Sequence, residues 1–373
     1  MDKFGFGLMR LPVVDGKYGN IDLEEVKKMV DYYMDNGGTY FDTAYVYHEG
    51  QGEIAFREAV AKRHPRESFT LTDKMPVFLV KEEADLERIF NEQLQKTGVE
   101  YFDYYWLHAL GADRYDNVVQ PFKAFEFIAD KKAKGFIKHI GFSFHDSAEV
   151  LDRILNDHPE VEYVQLQINY IDWEDDNVQS RKCYEVCQKH GKPVIVMEPI
   201  KGGALANVPE KAEKLMKEAG PELSVASWAL RYAASLDGVF KVLSGMSTFA
   251  QVEDNVSYMK EFKPLDEEEK KIVDEVVSII KSNIAIPCTG CRYCITENAC
   301  PMGIAIPDYF KLYNDVKSFN VTHGIKAKFD EIAANGGKPS DCLECGMCEE
   351  HCPQHLSIRE YLKSVSKDLE KER

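Results

Sequence analysis

Two groups of residues in this chain could do chemistry. One is a pair of cysteine runs, Cys288-x-x-Cys291-x-x-Cys294-x5-Cys300-Pro301 and Cys342-x-x-Cys345-x-x-Cys348-x3-Cys352-Pro353. In a reducing compartment clustered cysteines read as metal ligands rather than disulfides. Three cysteines two residues apart, closed by Cys-Pro and occurring twice, favour two iron-sulfur clusters; structural zinc, which also uses close cysteine pairs, is the competing reading. The other group is Asp42, Tyr47, Lys74 and His108. A tyrosine hydroxyl, with an ordinary pKa of about 10, is a poor acid at neutral pH unless a cation favours its ionised form. Lys74 would supply that charge, Asp42 would keep the lysine an ammonium against desolvation, and the His108 imidazole could donate to a substrate oxygen and orient it. Together they would deliver a proton to a carbonyl oxygen.

Such a set needs a scaffold that brings four distant positions to one place. Short apolar segments end at Leu8 and Asp42 and recur at residues 69–71, 104–107, 137–142, 163–166, 193–197 and 239–243. Between them lie helical patterns such as Leu86, Ile89, Phe90 and Leu94, or Phe122, Phe125 and Ile128. Eight strands alternating with helices predict an α/β fold, a parallel (β/α)8 TIM barrel. In that fold the polar residues at the C-terminal strand ends line the reaction site. Here those exits carry Asp42, Thr72-Asp73-Lys74, His108, Ser143, Glu198-Pro199 and Ser244-Gly245, with Gln165 and Gln167 in the sixth strand. Gly5 and Gly7 invite a dinucleotide-fingerprint reading, which fails because Arg10 holds the third glycine position and Leu11-Pro12, not a helix, follows. Tyr18, Tyr45, Phe78, Trp106, Tyr170 and Trp173 are candidate pocket aromatics.

The formal net charge of -17 over 373 residues argues against a nucleic-acid footprint and against a polybasic membrane anchor. No apolar run approaches the ~20 residues of a membrane-spanning helix, and no signal region precedes Phe4, so a cytoplasmic protein acting on small molecules is expected.

The run Asp42-Thr43-Ala44-x-x-Tyr47, followed by Lys74, Leu107-His108 and Gly141-Phe142-Ser143, resembles the aldo-keto reductases, barrel enzymes that reduce carbonyls with a nicotinamide. The resemblance covers about residues 1–262. It implies hydride transfer between a carbonyl and an alcohol, with Tyr47 as proton donor, Asp42 and Lys74 tuning it and His108 orienting the carbonyl. It further implies that Ser143 and Gln165 hold the nicotinamide carboxamide, that Met197 stands where many members stack an aromatic ring, and that Asn255 lies near the adenine. The barrel phosphate site is expected in the loops after the last two strands, Lys201-Gly202-Gly203 and Ser244-Gly245-Met246-Ser247-Thr248. Gly245 permits close backbone approach, and Ser247 or Thr248 can cap the following helix, whose amides could bind a phosphate. Gly245 and Gln251 stand where the family usually has basic contacts to the 2'-phosphate of NADP, so NADP, NAD and flavin mononucleotide (FMN) stay open as cofactors.

Near Pro264 the alternation stops, giving two expected domains: a barrel over residues 1–264 and a mostly helical, ferredoxin-like iron-sulfur domain over 265–373. The second cysteine run matches the bacterial ferredoxin spacing residue for residue, and the first has two extra residues before its last cysteine. In two-cluster ferredoxins the fourth cysteine of each run ligates the other cluster. By that pattern one [4Fe-4S] cluster takes Cys288, Cys291, Cys294 and Cys352, and the other takes Cys342, Cys345, Cys348 and Cys300. Clusters move single electrons whereas a nicotinamide moves a hydride. The expected partners are therefore a small carbonyl or alcohol substrate and a ferredoxin or another redox protein. The alternative function is a ferredoxin-like electron-transfer protein whose barrel binds a flavin or docks a redox partner.

Overall fold

The structure, a computed structural model, describes residues 1–176, 178–282, 284–296, 300–319 and 325–370. It falls into two compact units: Met1–Asp175 with Gln179–Pro199 and Ala226–Asp266, and Asp176–Val178 with Ile200–Val225 and Glu267–Arg373. The division after Asp266 lies close to the junction read at Pro264, and the second unit also takes in the segment 200–225.

In the first unit eight strands follow one another around a closed barrel: β1 (Phe4–Gly7), β2 (Tyr40–Asp42), β3 (Thr70–Met75), β4 (Phe102–Leu110), β5 (Ile137–Phe144), β6 (Tyr163–Gln167), β7 (Val194–Met197) and β8 (Val239–Gly245). Every pairing is parallel, and β1 completes the ring against β8. Helices separate the strands; the first, Leu23–Asp35, begins where the Asp22 carboxylate accepts from the Glu25 amide and ends before Gly37 at φ 88°. Those are the start and stop that an aspartate before and a glycine after an amphipathic stretch impose.

Side chains alternate faces along a strand, and this period of two builds the barrel interior in layers. Tyr40, Tyr104, Trp106, Ile195 and Leu243 pack into one buried cluster with Tyr163 and Phe240 against it. One step further toward the strand ends come Asp42 on β2, Lys74 on β3, His108 on β4 and Gln165 on β6, also buried. The aromatic layer needs room, and glycines give it. A Cβ on Gly141 would lie 2.5 Å from the Trp106 ring and 2.3 Å from the Tyr163 carbonyl oxygen, and one on Gly5 would lie 2.6 Å from Leu243. Gly5 therefore serves close packing inside the barrel.

Except for Glu198-Pro199, which follow β7, the polar residues read as strand exits lie within the strands. Lys74 pairs with Trp106, and Ser143 with Gln165, as register partners. An apolar run shows where the side chains stop being hydrophobic; the backbone ladder continues past that point into the barrel mouth.

The second unit is helical. Glu210–Ala219 packs on Glu267–Lys281. The helices Ile306–Phe319, Ile325–Ala334 and Ile358–Val365 enclose a core of Tyr309, Phe310, Leu312, Phe329 and Leu362 that also contains Cys294, Cys348 and Cys352. Part of the five-residue spacer before Cys300, residues 297–299, lies outside the described residues. Among the described residues no helix is long and apolar enough to cross a membrane.

Candidate active site and cluster sites

Asp42, Tyr47, Lys74 and His108 meet in the barrel unit. Lys74, 1% exposed, donates through Nζ to Asp42 Oδ1 at 2.6 Å, to the Thr43 carbonyl oxygen at 2.7 Å and to the Tyr47 hydroxyl at 3.4 Å. The ammonium also sits 5.0 Å from the Tyr47 ring centroid. Asp42 closes β2, and its other oxygen accepts from Gln165 Nε2 across the barrel at 3.5 Å. Tyr47 follows on the turn after β2 and packs edge-on to His108, with ring centroids 6.1 Å apart. Phe78 covers the other side of that imidazole at 5.5 Å.

Electrostatics divides the four groups by role. Burial raises the Asp42 carboxyl, and the Lys74 ammonium followed by the Gln165 hydrogen bond pulls it back. Burial, then the charges of Lys74, Arg114 and His145, holds His108 well below the ordinary histidine range. Its imidazole is therefore neutral near pH 7 and can donate one N–H without bringing a second cation beside Lys74. The arrangement is a single buried cation aimed at a phenol, with a neutral hydrogen-bond donor beside it.

Of the residues expected to hold a nicotinamide, Gln165 is 2% exposed, and its Oε1 is buried without a hydrogen-bond partner. A buried amide oxygen in that state costs free energy unless a donor arrives, and the carboxamide N–H of a nicotinamide is such a donor. Ser143 Oγ accepts from the Ala109 amide at 2.7 Å, which leaves its own proton to give. Met197 ends β7, half-buried. The nicotinamide end thus fits the residues present. At the other end, Thr248 caps the helix Phe249–Met259 by accepting from the Gln251 amide at 3.3 Å; the Gln251 side chain accepts from the Ser247 amide at 2.7 Å, and Ser247 Oγ donates to the Arg10 carbonyl. Asn255 donates to Ser244 Oγ at 2.8 Å and accepts from Tyr258 at 2.5 Å. Gly245 lies against Arg10, where an added Cβ would come within 3.2 Å of the arginine side chain. Lys201, Gly202 and Gly203 fall in the second compact unit.

The pocket aromatics divide. Phe78 flanks His108, but Trp106 belongs to the aromatic layer deeper in the barrel. Tyr45 turns to Glu92 and Lys96, and Tyr18 stacks on His48. Tyr170 and Trp173 pack against Tyr232.

Behind Lys74 lies a feature that the sequence pattern did not single out. Asp73 points to the opposite face of β3, where its carboxyl and that of Glu53, from the helix Gly52–Phe56, act on one another, both fully buried. Lys96 reaches Glu53 at 3.3 Å, and Gln93 accepts from Tyr105 while donating to the Lys74 carbonyl at 3.0 Å. Burial first and the neighbouring Glu53 second push Asp73 well above the ordinary aspartate value. The signal available was an aspartate directly beside an inward-facing lysine, since period two must send it outward.

The cysteines gather into two cavities in the second unit. Cys288, Cys291, Cys294 and Cys352 line one; Cys300, Cys342, Cys345 and Cys348 line the other. Each set therefore joins three cysteines of one run to the last of the other. The loops that carry the first two cysteines of each run are built alike: the Gly290 amide donates to Cys288 Sγ and the Glu344 amide to Cys342 Sγ, both at 3.4 Å, with positive φ at Gly290 and Arg292 and at Glu344 and Gly346. Burial, then the neighbouring thiols Cys291, Cys288 and Cys352, raises Cys294, and burial ahead of Glu349 and the other set raises Cys348 to about 12. Thiols held this close cannot all ionise without positive charge among them. A cluster of iron ions supplies that charge, so the residues fit the group.

The model of the aldo/keto reductase family matches residues 3–278, and that of a 4Fe-4S dicluster domain matches residues 287–356. An uncharacterized oxidoreductase of Bacillus subtilis (strain 168), YqkF, is 21% identical over 274 residues, spanning 65% of this chain and 85% of that protein. The barrel resembles the crystal structure of an aldo-keto reductase from Klebsiella pneumoniae in complex with NADPH (TM-score 0.60, 20% identity, 74% of this chain and 90% of that one). It also resembles aldo-keto reductase AKR11C1 from Bacillus halodurans in its holo form (TM-score 0.58, 23% identity, 74% and 91%). At these identities the structural likeness establishes the fold.

Proposed function

This chain belongs to the aldo/keto reductase family and carries a 4Fe-4S dicluster domain, and we propose that it interconverts a small carbonyl compound and its alcohol with Tyr47 as the acid and base. The observation that carries this reading is the seat of Lys74, an ammonium held 2.6 Å from Asp42 and 3.4 Å from the Tyr47 hydroxyl in a buried barrel mouth. Bound NAD(P)H would supply the hydride and the clusters single electrons. Lys74 favours the phenolate that Tyr47 becomes as it gives its proton to the carbonyl oxygen, and Asp42 holds the Lys74 Nζ in place. His108, neutral, donates to the same oxygen and orients it. In the reverse direction Tyr47 takes the alcohol proton. Gln165 and Ser143 hold the carboxamide. Two observations support the nicotinamide: the unsatisfied Gln165 Oε1 and the NADPH named with the Klebsiella neighbour. The two cysteine cavities would hold the clusters through Cys288, Cys291, Cys294 and Cys352 and through Cys342, Cys345, Cys348 and Cys300, and a ferredoxin-like carrier would exchange electrons with them.

The test is reduction of a panel of aldehydes and ketones by NADH and NADPH, run anaerobically on iron-reconstituted protein. Tyr47→Phe should lower kcat by about 10²-fold or more, with KM little changed. Unchanged turnover in that variant would move the function to electron transfer, with the barrel as a docking module.

A further inference from the structure

Lys201 opens a loop held in a disfavoured conformation. Lys201, Gly202 and Gly203 have φ of 47°, 66° and 98°. Two glycines take such angles freely, whereas a lysine is opposed by its own Cβ. Strain of this kind persists only where the surroundings over-determine it. What the turn achieves is the burial of a cation: Lys201 is 2% exposed, and its Nζ donates a long hydrogen bond to Gln354 Oε1 at 3.5 Å. Gln354 lines the same cavity as Cys288, Cys291, Cys294 and Cys352. The Lys201 charge reaches the Cys352 thiol as well, adding to backbone N–H groups of Leu356, Gln354 and His355 that offset the effect of burial there.

The other cavity has a different electrostatic setting. Arg359 lines it, but its guanidinium is paired with Glu349 at 2.8 Å and is 41% exposed, and Cys345 is itself exposed. Solvent and the carboxylate screen that charge. A cluster bound by four thiolates is anionic and gains negative charge on reduction, so nearby charge, hydrogen bonds and exposure set its potential. Resting on the ligation proposed above, we propose that Lys201 makes the cluster of Cys288, Cys291, Cys294 and Cys352 the more readily reduced of the two. An electron delivered at the exposed Cys345 side would then pass inward, oxidising that cluster and reducing the one beside Lys201.

The experiment is an anaerobic titration with dithionite, followed by electron paramagnetic resonance, of the full-length reconstituted protein and its Lys201→Met, Lys201→Arg and Gln354→Glu variants. In Lys201→Met and Gln354→Glu one midpoint potential should fall, changing the reduced-to-oxidised ratio at fixed potential about tenfold, ~59 mV for one electron. The other midpoint should hold, and Lys201→Arg should leave both in place. Protein that carries eight iron atoms per chain, four for each cluster of a dicluster domain, but shows no shift, or equal shifts of both potentials, overturns the role of Lys201. Wild-type protein that reconstitutes with one cluster overturns the ligation reading instead. Should Lys201→Met fail to load iron, Gln354→Glu decides alone, because it keeps the lysine and adds a carboxylate to the same cavity wall.

Discussion

Asp73 and Lys74 are chain neighbours with opposite fates. Lys74 turns inward to Asp42 and Tyr47; Asp73 turns outward into a buried pair with Glu53. The inward set was legible as residue types, because a carboxylate, a phenol, an ammonium and an imidazole near successive strand ends suit one reaction. The outward pair was not, since a polar run gives no sign of which member is solvated. It carries a pH signature. The unfolded chain ionises Asp73 near the ordinary aspartate value, whereas burial and then Glu53 keep the folded carboxyl protonated to well above it. Unfolding therefore releases a proton, and the contribution to stability is present below about pH 4 and lost as pH rises toward the folded value. Thermal unfolding measured from pH 4 to 8 should show wild-type stability falling with a slope of up to about 1.4 kcal/mol per pH unit relative to Asp73→Asn. Parallel curves for the two proteins would show that Asp73 titrates alike in the folded and unfolded chains.

At the scale of elements the eight strands and their order were legible from alternation, but their ends were not. Residues 69–71 mark the apolar part of β3, which runs on through Met75 because Thr72 and Lys74 find partners inside the barrel. Glycine was the other blind spot. Gly5 and Gly141 leave the space that aromatic neighbours fill, and sequence cannot show which ring lies opposite. The two sites should differ in tolerance. At Gly141 a new methyl meets the Tyr163 backbone oxygen and the Trp106 ring, while at Gly5 its nearest neighbours are side chains alone, the end of Leu243 at 2.6 Å and the edge of the Tyr40 ring at 2.9 Å. Gly141→Ala should cost about 1–3 kcal/mol by urea unfolding, and Gly5→Ala less. Equal costs would mean that the Tyr163 backbone yields as readily as the side chains around Gly5.

For the whole molecule, the change from alternating strands to a cysteine-rich helical region is legible in the sequence, whereas the assignment of residues 200–225 to the second unit rests on long-range packing that no local pattern records. The two units should answer differently to iron. Cys294, Cys348 and Cys352 are part of the hydrophobic core of the second unit, so emptying the cavities leaves thiols packed where a cluster would hold them in place. Anaerobic removal of iron with a chelator should speed proteolysis within residues 284–370 about tenfold and leave cleavage in the barrel strands unchanged. Equal rates with and without iron would show that this core stands without its metal.

The way the cavities draw on both cysteine runs has a bearing on how the protein is made. Each is lined by three cysteines from one run and the last of the other, so neither run alone can complete a site. Translation delivers Cys288, Cys291, Cys294 and Cys300 first, and the first cavity lacks its closing thiol until Cys352 has left the ribosome. By the ligation proposed above, neither site can fill with iron until the second run has been made, and a chain interrupted before Cys342 forfeits both.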